Sequence, residues 1–240
     1  MAIGALEAGR DLRLSIEEVR RAEAIPSMFK WADDGTMATL PEMRKAKIAV
    51  ALVKIAVCVK KPGHAHGEYR SRESAYAAGK GHLAYYQLLE TEGESRILDT
   101  SSKFASHMSN WEELDSHDDL PVGMVIGMEG ADSISWPEQV HEWYDQGLRV
   151  ISLSHYGVSY YSHGTGTGTD GGLTPLGKPL LREMEKLGII LDVTHTSDQS
   201  VREELELFNG PVLASHQNCR TLVPGERQQP DGAEIASLSN

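Results

Sequence analysis

The chain has 240 residues, 40% hydrophobic and 24% charged, a balance that suits a globular protein with a sizeable core. Its 35 acidic residues outnumber 23 basic ones, and the formal net charge of −12 argues against a nucleic-acid partner, which needs clustered Lys and Arg. Two cysteines, Cys58 and Cys219, exclude a disulfide framework and a thiolate-only zinc site, so a cytoplasmic location is expected.

Met1–Asp11 lacks the charged-then-apolar pattern of a secretory signal, and no membrane anchor is expected. Ser15-Ile-Glu-Glu18 reads as a capping box opening a helix through Arg21. Residues 26–41 read as loop. Ile48–Val59 is rich in Val, Ile and Ala and predicts a buried strand; with Lys54 inside it, it is too short to span a bilayer. A Pro/Gly loop follows to Arg72. Helical periodicity covers Glu73–Glu92, with Gly93 as the stop. Residues 94–120 predict a polar helix around Ser102–Leu114 and an acidic loop, Asp115–Asp119.

From there the rhythm is regular. Strand 122–128, helix 137–146 and strand 148–153 lead into a Gly/Ser/Tyr loop, Tyr156–Gly172. Helix 176–187 follows, with Pro175 at an N1-like position and Gly188 at its end. Strand 189–194, helix 198–208 and strand 211–214 come next, and Glu234–Asn240 reads as the start of a further helix. Alternation of this kind predicts a parallel sheet with right-handed crossovers. Five strands are legible, enough for an open sheet, whereas a closed (β/α)8 barrel needs eight and about 250 residues.

Three of the apolar runs end in residues that bind zinc. Val122–Met128 runs into Glu129, Gly188–Thr194 into His195, and Pro211–Ser215 into His216. In a parallel α/β protein the carboxyl ends of the strands converge on one face, so these side chains are expected at one metal centre. A lone histidine at a strand end is ordinarily a hydrogen-bonded structural residue; three ligand types at strand ends are harder to explain by packing. His155 ends a fourth run and reads either as a ligand, as a donor to a carbonyl oxygen, or as a loop histidine. Arg227 has the fork that matches a free carboxylate, although its position alone also suits a solvated surface arginine. His64-Ala-His66 has the spacing of a metal-binding pair but sits in the Pro/Gly loop, and is expected at the rim. The G-x-G-x-G within Ser162–Gly171 lacks the lysine of a phosphate-binding loop and reads as a flexible loop near the site.

Gly127-Met-Glu-Gly-Ala-Asp132, Gly147-Leu-Arg-Val-Ile-Ser-Leu-Ser-His-Tyr-Gly157, Gly172-Leu-Thr-Pro-Leu-Gly177, Leu187-Gly-Ile-Ile-Leu-Asp-Val-Thr-His195 and Gly210-Pro-Val-Leu-Ala-Ser-His-Gln-Asn-Cys-Arg220 together resemble the membrane (renal-type) dipeptidase family of zinc peptidases, in its bacterial branch. The 21-residue step from His195 to His216 also fits. The resemblance covers nearly the whole chain and is strongest from Pro121 to Asp231. It implies a (β/α)8 TIM-type barrel holding two zinc ions, a dipeptide substrate and, in many members, a homodimer. Under it Glu129 matches the carboxylate that bridges both metals, and His195 and His216 match two imidazole ligands of one zinc. His155 matches the histidine at the scissile carbonyl, and Arg227 the arginine that holds the substrate carboxylate.

Two features of the family have no counterpart in residues 1–240: a first-strand His-x-Asp motif and a late-barrel aspartate. The expectation is therefore a single, incomplete barrel domain over 1–240, holding about strands two to six. With three ligands it would bind one zinc, show weak or no peptidase activity by itself, and carry unpaired strand edges. The competing readings are another metal-dependent barrel amidohydrolase, with His64 and His66 as ligands, and a non-catalytic scaffold that kept the fold.

Overall fold

A computed structural model describes residues 1–23, 35–60, 69–113, 117–165 and 171–217. Internal packing divides the chain into two compact units, Met1–Ile55 with Lys80–Ile126, and Ala56–Gly79 with Gly127–Asn240.

The first unit opens with helices α1 (Ala2–Ala8), α2 (Ile16–Glu23) and α3 (Leu40–Lys45). The capping box forms: Ser15 Oγ accepts the Glu18 amide at 3.3 Å, and the Glu18 carboxylate accepts the Ser15 amide at 3.0 Å. Helix α3 begins inside the stretch 26–41 that reads as loop, a correction, and α1 forms where the sequence reading placed no element. Each is too short to show a periodic face, and tertiary contacts hold them instead. The Ala2 amide donates to Tyr86 Oη at 3.1 Å, and the Leu40 amide to the Leu12 carbonyl at 2.9 Å.

The rest of this unit is most of strand β1 (Val50–Ala56), most of helix α4 (Arg72–Thr91), strand β2 (Ser95–Ile97), helix α5 (Ser101–Glu113) and the first half of strand β3 (Val122–Glu129). Here β3 lies between β1 and β2. The β2 pairing is parallel, with Ser95 opposite Val122 and Ile97 opposite Met124. Three residues carry no apolar run of their own, so β2 was not legible as a strand. Tyr86, fully buried in α4, donates to the Lys54 carbonyl at 2.9 Å and closes the core.

The second unit holds the end of β3, helix α6 (Val140–Asp145), strand β4 (Leu148–Ser152), helix α7 (Gly177–Leu187), strand β5 (Ile190–Asp192), helix α8 (Asp198–Leu207) and strand β6 (Val212–Leu213). The strand order runs β3-β4-β5-β6. Val150 pairs in parallel with Ile190, and Leu191 with Val212. Helix α6 is preceded by a separate 3-10 turn over Pro137–Gln139. Pro175 stands two positions before the first helical residue rather than at it, because the α7 cap is Leu176 and its first residue Gly177. Residues of β3 are almost continuously buried, as a parallel strand covered on both faces requires. The expected alternating α/β architecture is present, and among the described residues the strand path is open, as an incomplete barrel would be.

Candidate metal centre

The strands of the second unit deliver their ligands by one rule. Glu129 is the last residue of β3. His155, His195 and His216 each stand three residues beyond the ends of β4, β5 and β6, at Ser152, Asp192 and Leu213. Parallel strands point their carboxyl ends the same way, so four side chains distant in sequence arrive on one side of the sheet.

Local backbone geometry then aims them. Gly130, with φ +82°, turns the chain directly after Glu129, and a Cβ there would press on the backbone nitrogen and Cβ of His155 at 3.4 Å. His195 itself has φ +68°, an uncommon conformation for a non-glycine residue that costs about 1–2 kcal/mol. Neighbours hold it there. The His195 carbonyl accepts the Thr165 amide at 2.8 Å, and Thr196 Oγ1 donates back to the Val193 carbonyl at 2.7 Å. Gly164 packs so closely that a Cβ would fall 1.8 Å from the His155 carbonyl oxygen. Buried serines complete the scaffold: Ser152 Oγ donates to the Thr194 carbonyl at 2.6 Å, joining the β4 and β5 ends, and Ser159 Oγ donates to the Leu153 carbonyl at 2.6 Å.

The result is a tight cluster. Glu129 Oε1 lies 3.0 Å from His195 Nε2 and 3.0 Å from His216 Nε2, and those two nitrogens are 3.0 Å apart. His155 Nε2 is 3.6 Å from the same carboxylate oxygen. The His155 and His195 rings meet edge to face at 4.5 Å. Burial by itself would raise the Glu129 pKa. The hydrogen bond from His195 and the charges of His155, His195 and His216 outweigh it and bring the carboxyl down to about 2.

Among the described residues, Glu129, His155 and His195 form a group whose ligand atoms all lie within 4.8 Å of one another. His216 Nε2 joins it at 3.0 Å from both Glu129 and His195. This donor set fits a divalent cation. Zinc–ligand bonds of about 2.0–2.2 Å place neighbouring ligand atoms roughly 3–3.5 Å apart, and imidazole with carboxylate suits zinc and its neighbours. One cation would satisfy the lone pairs of both imidazole nitrogens, 3.0 Å apart, together with the carboxylate.

The structure thus brings together Glu129, His155, His195 and His216. Arg227, His64, His66, Cys219 and the helix start at 234–240 lie outside the described residues, as do the tips of the Gly-rich loop, 166–170. The described flanks of that loop are pinned: Ser197 donates its amide to the His163 carbonyl at 3.0 Å and its hydroxyl to the Gly171 carbonyl at 2.6 Å. Three residues that sequence reasoning passed over support the site. Cys58 Sγ stands 3.7 Å from His155 Nδ1. Asp132 accepts the amides of Val59 and Tyr160, each at 2.8 Å. Asp192 anchors the segment before His216. Both aspartates fall inside the motifs quoted above, and only their burial distinguishes them from solvent-facing acids.

A carboxylate and imidazoles gathered at the carboxyl ends of parallel strands define an α/β protein with a candidate metal site. The chain belongs to the membrane dipeptidase family, peptidase family M19, whose sequence profile matches residues 27–238. It is 29% identical over 117 residues to an uncharacterized dipeptidase of Schizosaccharomyces pombe, covering 48% of this chain and 29% of that protein. Among solved structures it shares its fold with a family M19 dipeptidase (TM-score 0.68, 22% identity, 92% of this chain and 64% of that one). It also shares it with a Rhodobacter sphaeroides metallopeptidase liganded with a phosphinate mimic of L-Ala-D-Ala (TM-score 0.67, 20% identity, 92% and 66%). The chain spans less than a third of that curated relative and about two thirds of those solved chains. Membership in a metallopeptidase family implies a metal cofactor, and no described helix is long and apolar enough to cross a membrane.

Proposed function

We propose that this chain carries a zinc site of a zinc-dependent dipeptidase. The observation that carries the reading is the mutual 3.0 Å approach of Glu129 Oε1, His195 Nε2 and His216 Nε2 at three strand ends. These three would hold zinc, with Glu129 free to share its carboxylate with a second ion. Bound zinc supplies a Lewis acid for the peptide carbonyl and a water ionised near neutral pH.

The remaining residues act by position. His155 borders the same space and turns Nε2 toward it. Cys58 Sγ–H can donate to Nδ1, which leaves the ring proton on Nε2, where it donates to the substrate carbonyl oxygen as negative charge develops there. Tyr156 lies against His195, ring centroids 5.0 Å apart. Arg227 would bind the C-terminal carboxylate of the dipeptide, a role that rests on the family resemblance. Support for a dipeptide comes from the family and from the dipeptide mimic in the Rhodobacter sphaeroides structure.

The test is zinc content followed by turnover. The purified protein, loaded with zinc and desalted, is expected to retain at least one ion per chain and to lose it in Glu129→Ala; Ala-Ala and Ala-D-Ala are the substrates to assay. A well-folded protein that retains no zinc would overturn the reading and favour a scaffold role.

A further inference from the structure

Behind His216 runs a chain of hydrogen bonds that the reaction itself does not use. Asp192 is fully buried at the end of β5. Its Oδ1 accepts the amides of Thr194 at 3.1 Å and Ser215 at 3.2 Å, and its Oδ2 accepts the Ser215 hydroxyl at 2.5 Å. Ser215 Oγ lies in turn 2.7 Å from His216 Nδ1. Thr194 Oγ1 accepts the amides of Ser215 at 3.0 Å and His216 at 3.4 Å, which fixes the backbone that carries the imidazole.

Counting hydrogens settles the direction of this relay. A serine hydroxyl has one hydrogen, and an ionised carboxylate can only accept. The Ser215 hydrogen therefore goes to Asp192, and Ser215 Oγ meets Nδ1 with a lone pair. The ring proton then resides on Nδ1, and Nε2 faces Glu129 and His195 with its lone pair free. Three donors converge on Asp192, the Thr194 and Ser215 amides and the Ser215 hydroxyl, so its oxygens are occupied as acceptors.

We infer that Asp192 and Ser215 are positioning residues that set the His216 tautomer, presenting an unprotonated Nε2 to the cation. The inference rests on the metal-site reading above. With the relay reversed, Nε2 would carry the proton, donate it to Glu129 Oε1 at 3.0 Å and be closed to metal.

The experiment compares the zinc dissociation constant, by chelator competition, in the parent protein and in Ser215→Ala, Ser215→Thr, Asp192→Asn and Glu129→Gln. Ring 15N spectra of the zinc-loaded protein accompany it. Ser215→Ala is expected to weaken zinc binding about 10- to 100-fold, the usual effect of losing a group behind a metal ligand. Ser215→Thr keeps the hydroxyl and is expected to stay within about threefold. Asp192→Asn can donate its amide to Ser215 Oγ and turn the serine hydrogen onto Nδ1, so it is expected to lose at least as much as Ser215→Ala. The parent should show an Nδ1-bound ring proton on His216 protected from solvent exchange, and Ser215→Ala should lose that protection. If Asp192→Asn does not fold, the two Ser215 variants decide. Zinc binding abolished by Glu129→Gln but unchanged in Ser215→Ala, or a ring proton found on Nε2, overturns the relay and leaves the metal site standing. A parent protein that binds no zinc overturns the metal site and the relay together.

Discussion

Asp132 accepts the backbone amide of Val59 at 2.8 Å, across 73 positions of sequence, and with its other oxygen accepts the amide of Tyr160 at 2.8 Å. One buried side chain thereby joins the segment that presents Cys58 to the turn after Glu129 and to the loop after His155. Asp132→Ala would remove the acceptor shared by the buried Val59 amide and the partly buried Tyr160 amide. The expected cost is about 3 kcal/mol in urea unfolding. Asp132→Asn keeps one acceptor and turns an NH2 onto the other amide, so it should recover about half of that loss or less.

Glu129 makes the acid stability of the metal-free protein predictable. Its pKa falls from the ordinary 4.5 to about 2 in the fold. Between these values the unfolded chain takes up a proton that the folded chain refuses. The stability this carboxylate contributes is therefore complete above pH 4.5 and is lost as pH falls toward 2. With the side chain only 15% exposed, the contribution is at most about 3 kcal/mol. Unfolding at pH 5, 4 and 3 with zinc chelated should show Glu129→Gln losing less stability over that interval than the parent; parallel curves would refute the assignment.

Cys58 predicts a separation of binding from turnover. Its sulfur meets His155 on the side away from Glu129, so Cys58→Val should remove the partner of Nδ1 and leave the ligands in place. Zinc content should be unchanged, and whatever dipeptide turnover the parent shows should drop by up to about 100-fold, the lower end of what a positioned proton donor contributes. Cys58→Ser should retain most of the activity. Loss of zinc in Cys58→Val would show that His155 serves as a ligand instead.

Glu204 has the opposite sign to Glu129. Its pKa is raised in the fold, so above the ordinary value of 4.5 the unfolded chain releases a proton that the folded chain retains, and stability falls as pH rises. Glu204→Gln, neutral at every pH, should melt higher than the parent at pH 8, and the gap should narrow at pH 5. A variant less stable than the parent at both pH values would show that the carboxyl makes contacts an amide cannot replace.

Much of this molecule is written in local patterns. The long apolar run of β3, the periodic face of α7 and the Ser15–Glu18 box depend on neighbours in sequence, and each forms where periodicity and capping place it. The family is legible for the same reason: its motifs are strand-plus-turn segments, each a few residues long. Helices α1 and α3 and strand β2 were not legible, because six or seven residues, or three, hold no period, and contacts from distant residues such as Tyr86, Leu12 and β3 stabilise them.

The sequence by itself determined which residues could bind a metal, since Glu129, His195 and His216 end apolar runs whose strand character is local. Tertiary structure alone decided that their ligand atoms meet at 3.0 Å, that His195 adopts φ +68° to do so, and that Cys58, Asp132 and Asp192 stand behind them. The physical reason is that polar groups acquire their roles through burial and hydrogen bonding. An aspartate reads alike whether it faces water or is enclosed among backbone amides, and only the folded chain shows which amides, separated by dozens of residues, require its charge.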